Sequence, residues 1–306
     1  MISAYPKIFA IGTSYIRDIF KGEVEITEKV DGSHFCFGKI DSVLQMRSKG
    51  QDVYAPIADN MFREAVNYVT SIESKLQEGN VYYCEYLRNP KHNKLAYDRI
   101  PLNHLYLFGV SDKTQTYFIN DIDRLVNIAG WIGIEPPKLL FSGAVLDSAF
   151  LLELLDQTSV LGGPQIEGVV VKNYGIPFLL GGQPIPVMAG KFVSEKYKEI
   201  KRVPQQGKDS SIELFLDGFR IEQRWEKAVQ HLKDNGVLED SPRDIGLLIK
   251  EIQRDVTEEG EDYAKEWLWK HFQGSITRRA ISGFPEWYKE LLLQNVLGDN
   301  HDTITT

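Results

Sequence analysis

Residues 24–33 read Val24-Glu25-Ile26-Thr27-Glu28-Lys29-Val30-Asp31-Gly32-Ser33. Val24 and Ile26 alternate with polar neighbours, the period of a strand with one buried face. Gly32 permits a turn, and His34-Phe35-Cys36-Phe37-Gly38-Lys39-Ile40 resumes the pattern, so the two runs together read as a β-hairpin. Lys29 and Asp31, two apart, would share a face. A lysine is a poor nucleophile while protonated, with an ordinary pKa of about 10.4, and burial or neighbouring positive charge frees its lone pair. By itself a Lys-x-Asp-Gly string is usually a surface turn. Its company gives it weight.

Glu167-Gly168-Val169-Val170-Val171-Lys172 puts a carboxylate and an ammonium at the two ends of a valine run. Charges there are costly to bury without partners. Lys191, ahead of Phe192 and Val193, repeats the pattern, and Glu85 stands in the aromatic run Val81-Tyr82-Tyr83-Cys84-Glu85-Tyr86-Leu87. Three lysines and two carboxylates on strands of one domain suit a triphosphate and its metal, the cations neutralising phosphate oxygens and the acids holding a divalent ion or a ribose. Glu167 and Lys172 are five apart, so a regular strand aims them at opposite faces, and a bulge near Gly168 would be needed to bring both to one pocket.

Further strands are expected at His104–Val110 and Pro186–Val193, and helices at 56–77 and 120–130. Beyond about residue 208 the texture turns helical. Ile212, Phe215, Leu216 and Phe219 repeat at helical spacing, as do Trp225, Ala228, Val229 and Leu232. Ser241-Pro242 starts another helix with a stripe of Ile245, Leu248, Ile249 and Ile252, and one more starts near Pro285. The Trp and Tyr residues of this region are expected in its core. A domain boundary is placed near 205, in the polar stretch Val203–Ser211.

The chain has 306 residues with a formal net charge of -8, which argues against coating nucleic acid by charge alone but leaves room for a local basic groove. Lys191, Lys196, Lys198, Lys201 and Arg202 are a candidate, with a solvated helix face balanced by Glu195 and Glu199 as the alternative. No long apolar run or secretory signal is present, and Cys36 and Cys84 read as buried free thiols, which suits a cytoplasmic protein away from membranes. No Walker A loop surrounds Gly190-Lys191, and the six histidines are scattered, so no zinc site is expected.

In order and spacing these segments resemble the covalent nucleotidyltransferase superfamily of DNA ligases, RNA ligases and mRNA capping enzymes. Lys29-Val30-Asp31-Gly32-Ser33 matches its nucleophile motif, Tyr83-Cys84-Glu85-Tyr86-Leu87 the third motif and Leu105-Tyr106-Leu107-Phe108-Gly109-Val110 the next. Glu167–Lys172 matches the fourth and Val187–Lys196, more loosely, the fifth. The likeness covers residues 1 to about 202. It implies an α+β fold: an ATP-grasp-like nucleotidyltransferase domain on antiparallel sheets over 1–205, then a mainly α-helical domain over 206–306.

The resemblance also implies roles. Lys29 would attack the α-phosphate of ATP, the co-substrate, and carry AMP. Glu28 would contact the nucleotide, Arg47 the nucleotide or the end being joined, Glu85 the ribose, and Phe108 would stack on adenine. Glu167 would hold Mg2+ or Mn2+, while Lys172 and Lys191 would bind phosphate oxygens and help depress the pKa of Lys29. The fifth motif usually offers two lysines, and Ala189 stands where the first would be, which throws the α-phosphate contact onto Lys191. DNA ligases and capping enzymes continue into an all-β barrel, whereas a helical second domain resembles the RNA ligases that seal nicks. The expected function is an ATP-dependent RNA ligase joining 3'-hydroxyl and 5'-phosphate ends on a nicked duplex or paired ends. The alternatives are a DNA ligase, a GTP-dependent capping-type enzyme, or a non-enzymatic RNA-binding protein that kept the fold.

Overall fold

The computed structural model describes residues 1–49, 52–53, 61–145, 149–176, 178–180, 183–194 and 212–299. Eleven strands are described: β1 (Phe9–Ala10), β2 (Glu23–Lys29), β3 (Ser33–Ile40), β4 (Val43–Ser48), β5 (Asn80–Tyr86), β6 (Leu105–Asp112), β7 (Leu139–Ala144), β8 (Gly168–Asn173), β9 (Phe178–Leu180), β10 (Gln183–Ile185) and β11 (Met188–Val193). A five-stranded sheet runs β1-β11-β8-β2-β7 and a four-stranded sheet β4-β3-β5-β6, with β9 and β10 a separate antiparallel pair. All pairings between these strands are antiparallel except β1 with β11.

The expected hairpin over 24–40 does not form. β2 pairs with β7 and β8, whereas β3 pairs with β4 and β5, so the three residues between them carry the chain from one sheet to the other. Both strands have the expected alternation, but alternation reports a strand's faces and says nothing of its neighbours. Asp31 determines the departure. Its carboxylate accepts the backbone N–H groups of Lys94 and Leu95 and the side-chain amide of Asn93, while its own N–H donates to the Tyr97 hydroxyl. His92 adds a bond to the Ser33 hydroxyl. The turn is thereby tied to residues 92–97 instead of closing on itself.

One core cluster lies on the four-stranded sheet beneath α1 (Arg63–Ser71) and α2 (Ile122–Ile132), and a second on the five-stranded sheet with α3 (Ala149–Leu154). The helix expected at 56–77 is α1, its early residues 56–60 lying outside the described residues. The helix expected at 120–130 is α2, capped by the Asp121 side chain and ended by Gly133 in the left-handed region at φ 73°. Cys36 and Cys84 are free and buried.

The C-terminal region is helical as expected: α4 (Ile212–Asp217), α5 (Glu222–Asp234), α6 (Ile245–Asp255), a π-helical turn (Val256–Gly260), α7 (Glu261–Ala280) and α8 (Phe284–Asp299). Ser241 and Asp244 form a capping box around Pro242 ahead of α6. Arg224 of α5, almost wholly buried, bonds Asp255 of α6 at 2.9 Å, which gives a buried charge its partner. Trp267 is buried, but Trp225, Trp269, Trp287 and Tyr288 are exposed, contrary to the expected core positions. The chain divides into compact units Met1–Glu259 and Gly260–Thr306, so α4–α6 belong with the sheets. The boundary expected near 205 lies outside the described residues, as do Lys196, Lys198, Lys201 and Arg202.

Gly32 is the tightest point of the sheet-to-sheet crossing. A Cβ there would lie 2.7 Å from Leu87 Cδ1 and 2.8 Å from the Tyr86 carbonyl oxygen. Gly32→Ala is expected to cost about 1–3 kcal/mol in urea unfolding. An unchanged midpoint would show that the crossing is looser than this.

Candidate active site

Strands of both sheets meet at a common cavity. Thr27, Glu28 and Lys29 come from β2, Val170 and Lys172 from β8, Glu85 from β5, and Tyr106 and Phe108 from β6. Lys29 stands opposite Gly168 in the ladder, where a side chain would meet the Phe192 carbonyl oxygen at 2.5 Å. Glu167 precedes β8, and its carboxylate meets Lys29 Nζ at 2.5 Å.

No bulge interrupts β8 in its pairing with β2 or β11. Lys172 nevertheless lines the cavity, because Glu167 lies outside the strand and escapes its alternation. The bulge is in β6 instead. Tyr83 pairs with Gly109 and Cys84 with Leu107, leaving Phe108 as the extra residue. Leu105 and Leu107 before it and Val110 after it all reach the same core cluster, so one residue of parity is absorbed at Phe108. The Phe108 carbonyl accepts a hydrogen bond from Lys172 Nζ, which also lies 5.9 Å from the Phe108 ring and 5.7 Å from that of Tyr5.

The expected lowering of the Lys29 pKa is not what the free protein shows. Burial does press it down, but Glu167, Glu85 and Asp31 together hold it above the ordinary lysine range. Lys191 and Lys172 do not reverse this: Lys191 is paired with Glu259 at 2.6 Å, and Lys172 is turned onto the Phe108 carbonyl. Lys172 is the depressed amine, brought down to about 8 by burial against the opposing pull of Glu25. Glu85 is pushed up to about 8, first by burial and then by Glu167 and Asp31, although Lys29 and Lys49 act the other way. Carboxyl groups thus gather at Lys29, while Lys172 stands against the aromatic wall.

Other expected residues have partners of their own. Glu28 lines the cavity beside Lys29, while its carboxylate accepts from Ser159 Oγ and the Val160 N–H. Arg47, on β4, pairs with Asp52 at 3.4 Å and does not line the cavity. Lys191 is not a lining residue either, though its charge reaches Glu167. Ala189 stands directly across the ladder from Lys172, so a lysine there would face a like charge. Tyr5, Ile8, Tyr106 and Val170 escaped the sequence reading. Val170 could have been found two residues before Lys172, whereas Tyr5 and Ile8 lie in an irregular segment with no periodicity. Among the described residues no group of three or more His, Cys, Asp or Glu side chains converges as a metal site, and no helix is long and apolar enough to cross a membrane.

Holding Glu85 in this field costs stability as it ionises. With a folded pKa near 8 against about 4.5 unfolded, the protein is most stable below about pH 4.5 with respect to this group and loses that contribution as pH rises to about 8. Glu85→Gln is expected to unfold like the parent near pH 5 and to gain about 1–3 kcal/mol near pH 8. A gain independent of pH would contradict this.

Comparison with known proteins places this chain in a family. The RNA ligase family model matches residues 22–177, 156 of 306 residues. Among solved structures, a Naegleria gruberi RNA ligase variant with ATP and Mn aligns at 15% identity and a TM-score of 0.47, covering 64% of this chain and 57% of that one. The same ligase with PPi aligns at 15% identity and a TM-score of 0.44, covering 64% and 59%. The chain thus spans less than two-thirds of the length of these structures. No curated protein matches it. The matched segment contains the crossing at Lys29, the carboxylates Glu85 and Glu167 and the bulged Phe108, and this chain belongs to the RNA ligase family.

Proposed function

We propose that the chain joins RNA ends at the expense of ATP, through a covalent adenylate on Lys29. The observation that carries this reading is the Lys29–Glu167 pair at 2.5 Å, with Lys29 lining a cavity that also holds Glu85, Phe108 and Lys172, within the segment matched by the family. In the first step Lys29 Nζ loses a proton and bonds to the α-phosphorus of ATP, while the bond to pyrophosphate breaks. Glu167 is the group in contact with that proton. Phe108 offers a ring for adenine and Glu85 a carboxyl for a ribose hydroxyl. In the second step a 5'-phosphate oxygen takes the adenylyl group and frees Lys29. In the third the 3'-hydroxyl attacks that phosphate, AMP leaves, and the strand is closed. Each step depends on positioning and charge neutralisation.

Glu167 and Glu85 would hold a divalent cation, Mg2+ or Mn2+. Their fit rests on the carboxyl groups gathered at Lys29, where, on top of burial, Glu167 and Asp31 push the Glu85 pKa up and Asp31 pushes up that of Glu167. Such an ion, bound, supplies positive charge beside the phosphates and opposes the field that keeps Lys29 protonated. Lys172, its amine depressed and turned onto Phe108, is the cavity cation that stands closest to the aromatic wall and serves the nucleotide's phosphate side. The preferred substrate is a nicked duplex or paired ends, a choice supported by the helical region that follows the sheets.

Incubation with radiolabelled ATP is expected to leave an acid-labile label on the protein in a denaturing gel, and Lys29→Ala to abolish it while circular dichroism is retained. A label from GTP and not ATP, or an equally labelled variant, would overturn the reading. Sealing of nicks is expected to be at least about tenfold faster when the strand to be joined is RNA than when it is DNA, because the 2'-hydroxyl and A-form shape distinguish the two. Equal or faster DNA sealing would point to the DNA ligase alternative.

A further inference from the structure

Beside the cavity, three lysines from separate elements act on one carboxylate. Lys191 of β11 meets Glu259 Oε2 at 2.6 Å, and Lys49, just past β4, meets Oε1 at 3.3 Å. Lys227 of α5 adds its charge. Glu259 sits in the π-helical turn after α6 with its side chain 19% exposed. Burial would raise its pKa, yet the three lysines hold it well below the ordinary carboxylate range. The cluster also reaches the cavity: the Lys191 charge acts on Glu167, and the Lys49 charge on Glu85.

A carboxylate brings one negative charge and two oxygens. A terminal phosphate brings nearly two charges and three oxygens, and lysine ammoniums are compact point charges that suit it from any direction. Glu258 shares Lys49 at 3.1 Å and Asp255 shares Lys227 at 2.8 Å, but among the described residues Glu259 is the acid that Lys49 and Lys191 both contact and on which the Lys227 charge also acts. π-Helical turns interrupt regular helices and are found often at functional sites. Resting on the Lys29 reading above, we propose that Lys49, Lys191 and Lys227 form a phosphate-binding site that Glu259 fills in the free protein, so that Glu259 and a phosphate ligand exclude each other. The ligand chemistry is a phosphate group with its charge exposed. Its source is either the pyrophosphate end of the nucleotide or the 5'-phosphate of the strand to be joined.

The test is calorimetric binding to the full chain, with inorganic pyrophosphate in one arm. The other arm compares a 5'-phosphorylated oligoribonucleotide with its 5'-hydroxyl counterpart. Glu259→Gln is expected to bind one of the two phosphate ligands about five- to tenfold more tightly, and the ligand that gains identifies the source. Adding Lys227→Met to that variant is expected to remove the gain. Glu258→Gln, which deletes the same charge one residue away, is expected to give less. If neither ligand gains, or if Glu258→Gln gains as much, the competition is overturned. Should Glu259→Gln not fold, Lys227→Met in the parent decides: it is expected to weaken phosphate binding, and unchanged binding would overturn the site. Binding is read without chemistry, so the two readings fail separately. A chain that takes no label on Lys29 but shows the Glu259→Gln gain loses the ligase reading and keeps the site. A chain that labels and shows no gain loses only the site.

Discussion

The contact between the Lys29 ammonium and the Glu167 carboxylate is the constraint around which the domain is arranged. It joins the end of β2 to the residue before β8, two neighbours in one sheet, at the point where the chain leaves that sheet for the other. Asp31, held by the 92–97 segment, forces the departure, and Gly32 lets it pass against Leu87 and Tyr86. Once the chain crosses there, β3 and β5 bring Glu85 opposite His34, and β6 brings Phe108 beside it. The cavity is a consequence of the crossing.

The electrostatics describe a protein poised before reaction. An amine with three carboxyl groups acting on it stays protonated, and a protonated amine does not attack phosphorus. In this account charge brought in with the substrate, not a preset low pKa, creates the nucleophile. Glu85 carries part of the cost, because a buried carboxyl pushed up to about 8 is an unfavourable group kept for a use. The same logic extends to the lysines beside the cavity, which Glu259 occupies while phosphate is absent.

Strand positions were legible wherever alternation or a misplaced charge marked them. Glu85 in an aromatic strand, Glu167 and Lys172 around three valines, and Lys191 before Phe192 all announced themselves by being costly to bury. Partnership was not legible. Nothing in 24–40 distinguishes a hairpin from a crossing, since the deciding bonds come from residues 92–97, some sixty residues later. The Phe108 bulge and the reach of Glu167 were hidden because both break the period on which the reading relied. Glu28 looked equivalent to Lys29 in the motif, yet one step along a strand turned it to Ser159.

The central claim is that Glu167 and its neighbours hold Lys29 as an ammonium until substrate charge arrives. Nuclear magnetic resonance of lysine labelled at Cε, titrated with pH and assigned through Lys29→Arg, reads that state directly. The account predicts a Lys29 resonance titrating above ordinary lysine in the free chain and moving down in Glu167→Gln. A Lys29 that titrates below the ordinary value in the free chain, unaffected by loss of the Glu167 charge, would contradict it.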